Sequence, residues 1–166
     1  MSEVFFMDKK QKYLPILIFS AISLGVGGLS ALLTAGNMKI FDSVKKPPLS
    51  PPAAVFPIVW TVLYALMGVS AGRVWQKKDL NRRFASAGLE IFALSLAFNF
   101  FWSIFFFNCK AFLFSFAWLV LLFVQVLFTV IFYRRVDRLA GNLQIPYLLW
   151  VAFAGYLNFG IFLLNR

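Results

Sequence analysis

For 22 residues, from position 14 to 35, this chain carries no ionisable side chain, and four further apolar runs of similar length follow it. A bilayer core about 30 Å thick is crossed by about 20 apolar residues in a helix, whose backbone groups all bond within the segment. The runs predict helices over 14–35, 53–75, 84–107, 111–133 and 143–164. Together they make one membrane domain over residues 1–166, with no length for a second. The expected class is an all-α integral membrane protein, a five-helix bundle. Composition agrees, with 61% hydrophobic residues, only 13% charged and a mean hydropathy of +0.82, against about 25% charged in soluble domains. The first run follows three lysines, as a signal peptide would. It is too long for a signal h-region and no small-residue cleavage site bounds it, so it is read as the first spanning helix.

Between the first two runs lies Lys45-Lys46-Pro47-Pro48-Leu49-Ser50-Pro51-Pro52, which cannot be helical because proline removes donors and restricts the residue before it. Pro57 and Pro146 fall in the opening turns of their helices, where proline is tolerated. Only Asn108-Cys109-Lys110 separates the third and fourth helices, so these must be antiparallel neighbours. The sixteen Lys and Arg residues sit almost entirely between the apolar runs. They are read as topology determinants and contacts for anionic lipid, not as a nucleic-acid surface. Eleven fall on one side (Lys9, Lys10, Lys12, Arg73, Lys77, Lys78, Arg82, Arg83, Arg134, Arg135, Arg138) and five on the other (Lys39, Lys45, Lys46, Lys110, Arg166). This places the N-terminus inside and the proline loop and C-terminus outside, the expected setting being a bacterial cell membrane.

Much chemistry is excluded at the outset. The chain has no histidine and one cysteine, Cys109, so no intrachain disulfide, Ser–His pair, Cys/His cluster or zinc site is expected, and no metal or cofactor.

Helical spacing gathers the unusual residues onto faces. The second helix presents Trp60 and Tyr64, the third Asn99, Trp102 and Phe106, and the fifth Trp150, Ala154, Leu157 and Asn158. Converging, these stripes would form a flat-walled apolar slot with a few fixed hydrogen-bonding groups. Asn99 and Asn158 are costly in hydrocarbon unless they face a partner or a cavity, and interhelical hydrogen bonding explains them as well as a ligand does. Trp75 and Trp118, near predicted helix ends, read as interfacial aromatics. Glu90 lies nine residues before Asn99, on the opposite face, and is expected to snorkel or to pair with Arg73, Lys78 or Arg83. Gly68-x-x-x-Gly72 and the Ala93/Ala97 pair admit close helix approach, within the chain or between copies.

Four segments resemble a known family: Lys46-Pro47-Pro48-Leu49-Ser50-Pro51-Pro52, Phe56-Pro57-Ile58-Val59-Trp60-Thr61-Val62-Leu63-Tyr64, Asn99-Phe100-Phe101-Trp102, and Pro146 through Trp150 and Ala154 to Asn158. In this order they are similar to the TspO family, the tryptophan-rich sensory proteins related to the mitochondrial translocator protein (peripheral benzodiazepine receptor). The resemblance runs from about residue 14 to the C-terminus. It implies a central cavity closed by the helix 1–2 loop, binding of porphyrins such as protoporphyrin IX and of benzodiazepine-type ligands, and a homodimer. By motif position, Trp60 and Trp150 would be the pocket tryptophans. Asn99 and Trp102 would form one wall, Ala154 and Leu157 another, and Pro51 the loop edge. Leu49 stands where the family usually carries tryptophan and Phe41 where a tyrosine is common, so one polar lid contact is changed. The cholesterol-recognition pattern of animal members is missing after Asn158. Val130, Tyr133 and Arg135 satisfy its loose form elsewhere, where it is assigned no function.

The leading expectation is therefore a membrane receptor or sensor holding a tetrapyrrole against Trp60, Tyr64, Trp102 and Trp150. Without histidine as axial ligand, haem would gain little from its iron. The resemblance also raises light-dependent porphyrin degradation, with Trp60 or Trp150 oxidised, and translocation of a porphyrin or other lipophile. A purely structural membrane subunit is the remaining alternative.

Overall fold

The computed structural model describes the backbone from residue 2 to 166 and the side chains from Tyr13 onward. Lys9, Lys10 and Lys12, counted in the charge argument, lie outside those described side chains. The chain is helical almost throughout: α1 (Ser2–Thr34), α2 (Ile40–Ser43), α3 (Val55–Gln76), α4 (Arg82–Ser103), α5 (Phe112–Val136), α6 (Arg138–Leu143) and α7 (Ile145–Leu164). Among the described residues, five spans are long and apolar enough to cross a membrane, namely Tyr13–Asn37, Val55–Gln76, Arg82–Asn108, Phe112–Val136 and Arg138–Leu164.

The bundle is built by neighbouring pairs: α1 lies along α3, α4 along α5, and α5 also packs on α7. The third and fourth spans are adjacent, as their short link requires. The G-x-x-x-G motif is used within the chain. A side chain on Gly68 would sit 2.6 Å from the backbone N of Ser20, and one on Gly72 would sit 2.7 Å from the N of Ile16. The missing side chains thus let α1 and α3 touch backbone to backbone, the small-residue packing available where lipid offers no hydrophobic drive. Ala93 and Ala97, in contrast, face outward.

Two connections depart from the sequence reading. The last turn of α4 widens into a π-helical segment, Ile104–Asn108, with Cys109 N–H bonding back to the Ile104 carbonyl at 3.0 Å. Lys110 then takes a left-handed φ of 54°, which reverses the chain in minimal length. At the other end of the bundle, the expected fourth loop is reduced to Asp137. Arg134 and Arg135 belong to the last turn of α5 and Arg138 opens α6. The helical pattern therefore resumes five residues earlier than the predicted start at 143, with a break at Gln144 before α7.

Asp137 makes that junction possible. Its carboxylate accepts from Leu139 N–H (3.0 Å) as an N-cap of α6, and binds Arg73 (2.7 Å) and Lys77 (3.1 Å) of the α3 terminus. Burial pushes the carboxyl up, but hydrogen bonds from Lys77 and Leu139 and the charge of Arg73 outweigh it and hold it below its ordinary value of 3.8. Ser70 adds a bond to the Ala140 carbonyl (2.7 Å). Of the two alternatives expected for Glu90, the pairing is corrected here, while its exposed position agrees with the other, a snorkelling side chain. Arg73 is engaged by Asp137, and Lys78 lies over the Trp75 ring at 4.1 Å. Glu90 is exposed on the outer face of α4 with no ion pair among the described residues.

Candidate functional site

Trp60, projecting from α3 one turn before Tyr64, sits at the centre of an aromatic cluster. Its ring lies 5.7 Å from Tyr64, 6.2 Å from Trp102 and 6.2 Å from Tyr147, and it meets Trp150 at 6.4 Å with the planes perpendicular. These are edge-to-face and tilted spacings, favoured by the ring quadrupoles. Two amides organise the walls. Asn99 donates to the Tyr64 hydroxyl (3.1 Å). Asn158 accepts from Trp102 Nε1 (3.1 Å) and Ser115 (3.0 Å) and donates to the Phe112 carbonyl (2.7 Å). Both amides are almost fully buried, and each ties helices together while facing a cavity.

Two cavities adjoin this cluster. The larger, about 220 Å³, lies among α1, α3 and the end of α4, with Trp60, Tyr64, Asn99, Trp102 and Ser103 on its walls. The smaller, about 50 Å³, lies under the chain between α1 and α3, against Phe41, Ala53, Phe106, Ala154, Leu157 and Asn158. Met38, Phe56, Trp102 and Phe107 line both and form the partition between them.

The connecting chain over the bundle end is fastened to its neighbours. Lys45 N–H donates to the Asn165 side chain (3.0 Å), which returns a bond to the Lys45 carbonyl (2.8 Å). Tyr156 donates to the Pro48 carbonyl (2.8 Å), and Asn37 to Asn108 (3.0 Å). Pro47 fits against Gly160, where a side chain would come 2.6 Å from its ring. Phe41 is buried edge-on to Phe56 at 4.9 Å, capped by Lys46 Nζ at 4.6 Å.

Residues 18–164 match the sequence profile of the TspO/MBR family. This chain belongs to the TspO/MBR family. It is 34% identical to the tryptophan-rich protein TspO of Chlorobaculum tepidum over 96% of this chain and 99% of that one. It is 37% identical to protein CrtK of Rhodobacter capsulatus, over 84% and 85%, and 32% identical to the translocator protein of Bos taurus, over 89% and 88%. Like its five spans, membership makes this an integral, multi-pass membrane protein, similar to proteins with sensory and translocator names.

Within this TspO/MBR chain, the residues singled out from sequence fall into three groups. Trp60, Tyr64, Asn99 and Trp102 border the larger cavity, and Phe41, Ala154 and Leu157, with Trp102 again, border the smaller. Trp150 stands behind them, edge-on to Trp60 and to Phe56 (5.9 Å). It lines neither cavity, opening instead on an outer crevice with Ile58, Val62 and Pro146. Its Nε1 is buried without a partner among the described residues. Pro51, half-buried in the connecting chain, also lines neither. Trp118 is structural, stacked on Phe98 at 4.2 Å and donating to its carbonyl (2.7 Å). Trp75 is 44% exposed at the end of α3, as an interfacial residue would be. Tyr133, in the loose sterol pattern, is fully buried.

Sequence reasoning passed over the α1 wall of the larger cavity, Gly27, Gly28, Ser30, Ala31 and Thr34. The signal was present as a run of small residues in an otherwise bulky span. Met38, Phe56 and Phe107 were also passed over, since nothing in helical spacing singles out one more apolar residue.

Proposed function

We propose that this protein is a membrane receptor for flat, lipophilic ring compounds of the protoporphyrin IX class, and for benzodiazepine-type ligands of similar shape. The ligand is held between Trp60, Trp102 and the Tyr64–Asn99 pair. The observation that carries this reading is the larger cavity, whose walls combine two indoles with an amide–phenol pair already held in place by its own hydrogen bond. Aromatic walls with a few oriented polar groups suit a planar ligand with polar edges. Pockets for drug-sized ligands run to about 300–1,000 Å³, above the 220 Å³ observed. A porphyrin must therefore displace the partition of Met38, Phe56, Trp102 and Phe107 and merge the two spaces. Binding is expected to be slow relative to diffusion and to quench tryptophan fluorescence.

The experiment is titration of protoporphyrin IX into detergent-solubilised protein, followed by tryptophan quenching. Wild type should saturate, and a Trp60→Ala, Asn99→Ala double variant should lose at least tenfold in affinity. Unchanged affinity in that variant would remove the pocket assignment, and the absence of any saturable binding would remove the receptor reading altogether. The orientation inferred from charge, with the N-terminus inside, is part of the same proposal. A reporter fused after Arg166 that is active only in the cytoplasm would reverse it.

A further inference from the structure

We propose that the larger cavity is loaded sideways, through a portal between α1 and α3 with Gly28 and Ala31 as its sill, by a planar lipophile already dissolved in the bilayer. In this route the chain over the bundle end stays latched. The inference rests on the ligand reading above and adds the route to it.

The geometry begins with how α1 and α3 meet. At Gly68 and Gly72 they touch backbone to backbone against Ser20 and Ile16. One turn toward the proline loop, Tyr64 fills the space left by Gly27, where a Cβ would lie 3.1 Å from the ring's Cγ and nearer still to two of its other carbons. Beyond that point the filling stops. Among the described residues, a Cβ on Gly28 would meet nothing within 4 Å, although Gly28 lines the cavity. The two helices are thus pinned over one half and part over the other, and the cavity occupies the gap. Its rim residues Leu24, Gly28 and Ala31 on α1, and Pro57 and Thr61 on α3, are exposed. On membrane-spanning helices that exposure is to lipid. Gly28 lies about 14 Å from Asn37, the end of the first span, at about 1.5 Å per residue, so the gap opens at hydrocarbon depth in a core about 30 Å thick.

The route over the bundle end is closed by contrast. It would require release of Lys45 from Asn165, of Pro48 from Tyr156 and of Asn37 from Asn108, with Pro47 leaving its seat on Gly160. A ligand with low water solubility is concentrated in lipid, where the portal opens. Small residues on the sill keep the gap clear, while Tyr64 and Asn99 at its inner end offer the ligand's polar edge its first hydrogen bonds.

Gly25 supplies the control. It also has open space where its side chain would be, it sits on the same helix, and it does not line the cavity. Full-length protein in lipid vesicles would be mixed with donor vesicles carrying protoporphyrin IX, and the rate of tryptophan quenching measured. Gly28→Phe should load at least tenfold more slowly than wild type, and Gly25→Phe at the wild-type rate. A second protein would carry Lys45→Cys and Asn165→Cys in a Cys109→Ser background, joined by a short bismaleimide. It should load as fast joined as unjoined. Wild-type loading by Gly28→Phe, or a greater slowing by the cross-link than by Gly28→Phe, overturns the portal.

A probe independent of porphyrin separates this proposal from the ligand reading. Lipids brominated at mid-chain should quench the tryptophans of wild type and Gly25→Phe more than those of Gly28→Phe, whose portal is filled. If wild type binds no porphyrin but this difference holds, the ligand class is wrong and the portal stands. If the difference is missing, the portal is wrong whatever binds.

Discussion

Replacing Gly68 by alanine adds one methyl group where α1 and α3 touch, and the structure says what that methyl would meet. Its carbon would lie 2.6 Å from Ser20 N and 2.8 Å from the Phe19 carbonyl oxygen, with the Ser20 Cα nearer still. Non-bonded heavy atoms are comfortable at about 3.5–4.0 Å, so α1 would have to retreat by roughly 1 Å. A gap of that size forfeits about a quarter to a half of the dispersion energy of the atoms along it. The obstacle is backbone and cannot rotate away, so the cost belongs near the top of the usual overpacking range, about 3 kcal/mol. Alanine returns about 1 kcal/mol through helix propensity, leaving a net loss of about 2 kcal/mol. Gly28→Ala receives the same propensity gain in open space and should be about 0.5–1 kcal/mol more stable than wild type. At about 2–4 °C per kcal/mol for a chain of this size, the two alanine variants should differ in apparent Tm by about 5–12 °C. The assay is tryptophan-monitored thermal unfolding in one detergent at one scan rate, because membrane proteins often unfold irreversibly. Gly68→Ala melting at or above wild type would refute the backbone contact. If that variant instead changed the particle mass in detergent, the motif would be serving contacts between copies.

Asp137→Asn should cost about 1–3 kcal/mol at neutral pH, since it leaves Arg73 and Lys77 facing each other without the carboxylate between them. The folded carboxyl titrates below its ordinary 3.8, so its contribution is complete above that pH and is lost as pH falls through the folded value. Melting curves of wild type and variant should accordingly converge in acid and separate toward neutrality. Asn158→Leu strands the Trp102 donor and removes the amide's own bond to the Phe112 carbonyl, while Ser115 keeps that carbonyl as acceptor; it should lower stability by about 1–3 kcal/mol, with a shift in tryptophan emission. An unchanged melt would show those bonds to be unnecessary. Leu49 is 83% exposed at a left-handed φ of 66°, so Leu49→Asn, better suited to that conformation, should melt at or slightly above wild type. A clear loss would mean that the leucine side chain makes a contact this structure does not contain.

Much of the geometry of the candidate site was legible because helical periodicity is rigid. Asn99 and Trp102 are three residues apart, so once the third span is helical they must share a face. Trp60 and Tyr64 follow the same rule, and the structure sets all four on one cavity. The outward face of Glu90 follows from the same arithmetic. Trp150 shows where this stops. Spacing aligns it with Ala154 and Leu157, but the rotation of α7 against α3 puts its ring behind Trp60. The α1 wall was harder to read for a different reason: a run of small residues shows where something can approach, but a gap is a property of two helices together.

By itself, then, the sequence determined that this chain crosses a membrane five times, because unbroken apolar runs of that length leave the backbone no other way to satisfy its hydrogen bonds there. It also determined which residues each helix presents together, since 3.6 residues per turn is a local property. Tertiary structure alone decided that Gly68 and Gly72 receive α1 and that Asp137, not Glu90, takes the α3 cations. It also decided that α1 and α3 part beyond Tyr64 to leave a cavity. Each of these depends on the distance and rotation between helices remote in sequence, which packing sets and no single segment encodes.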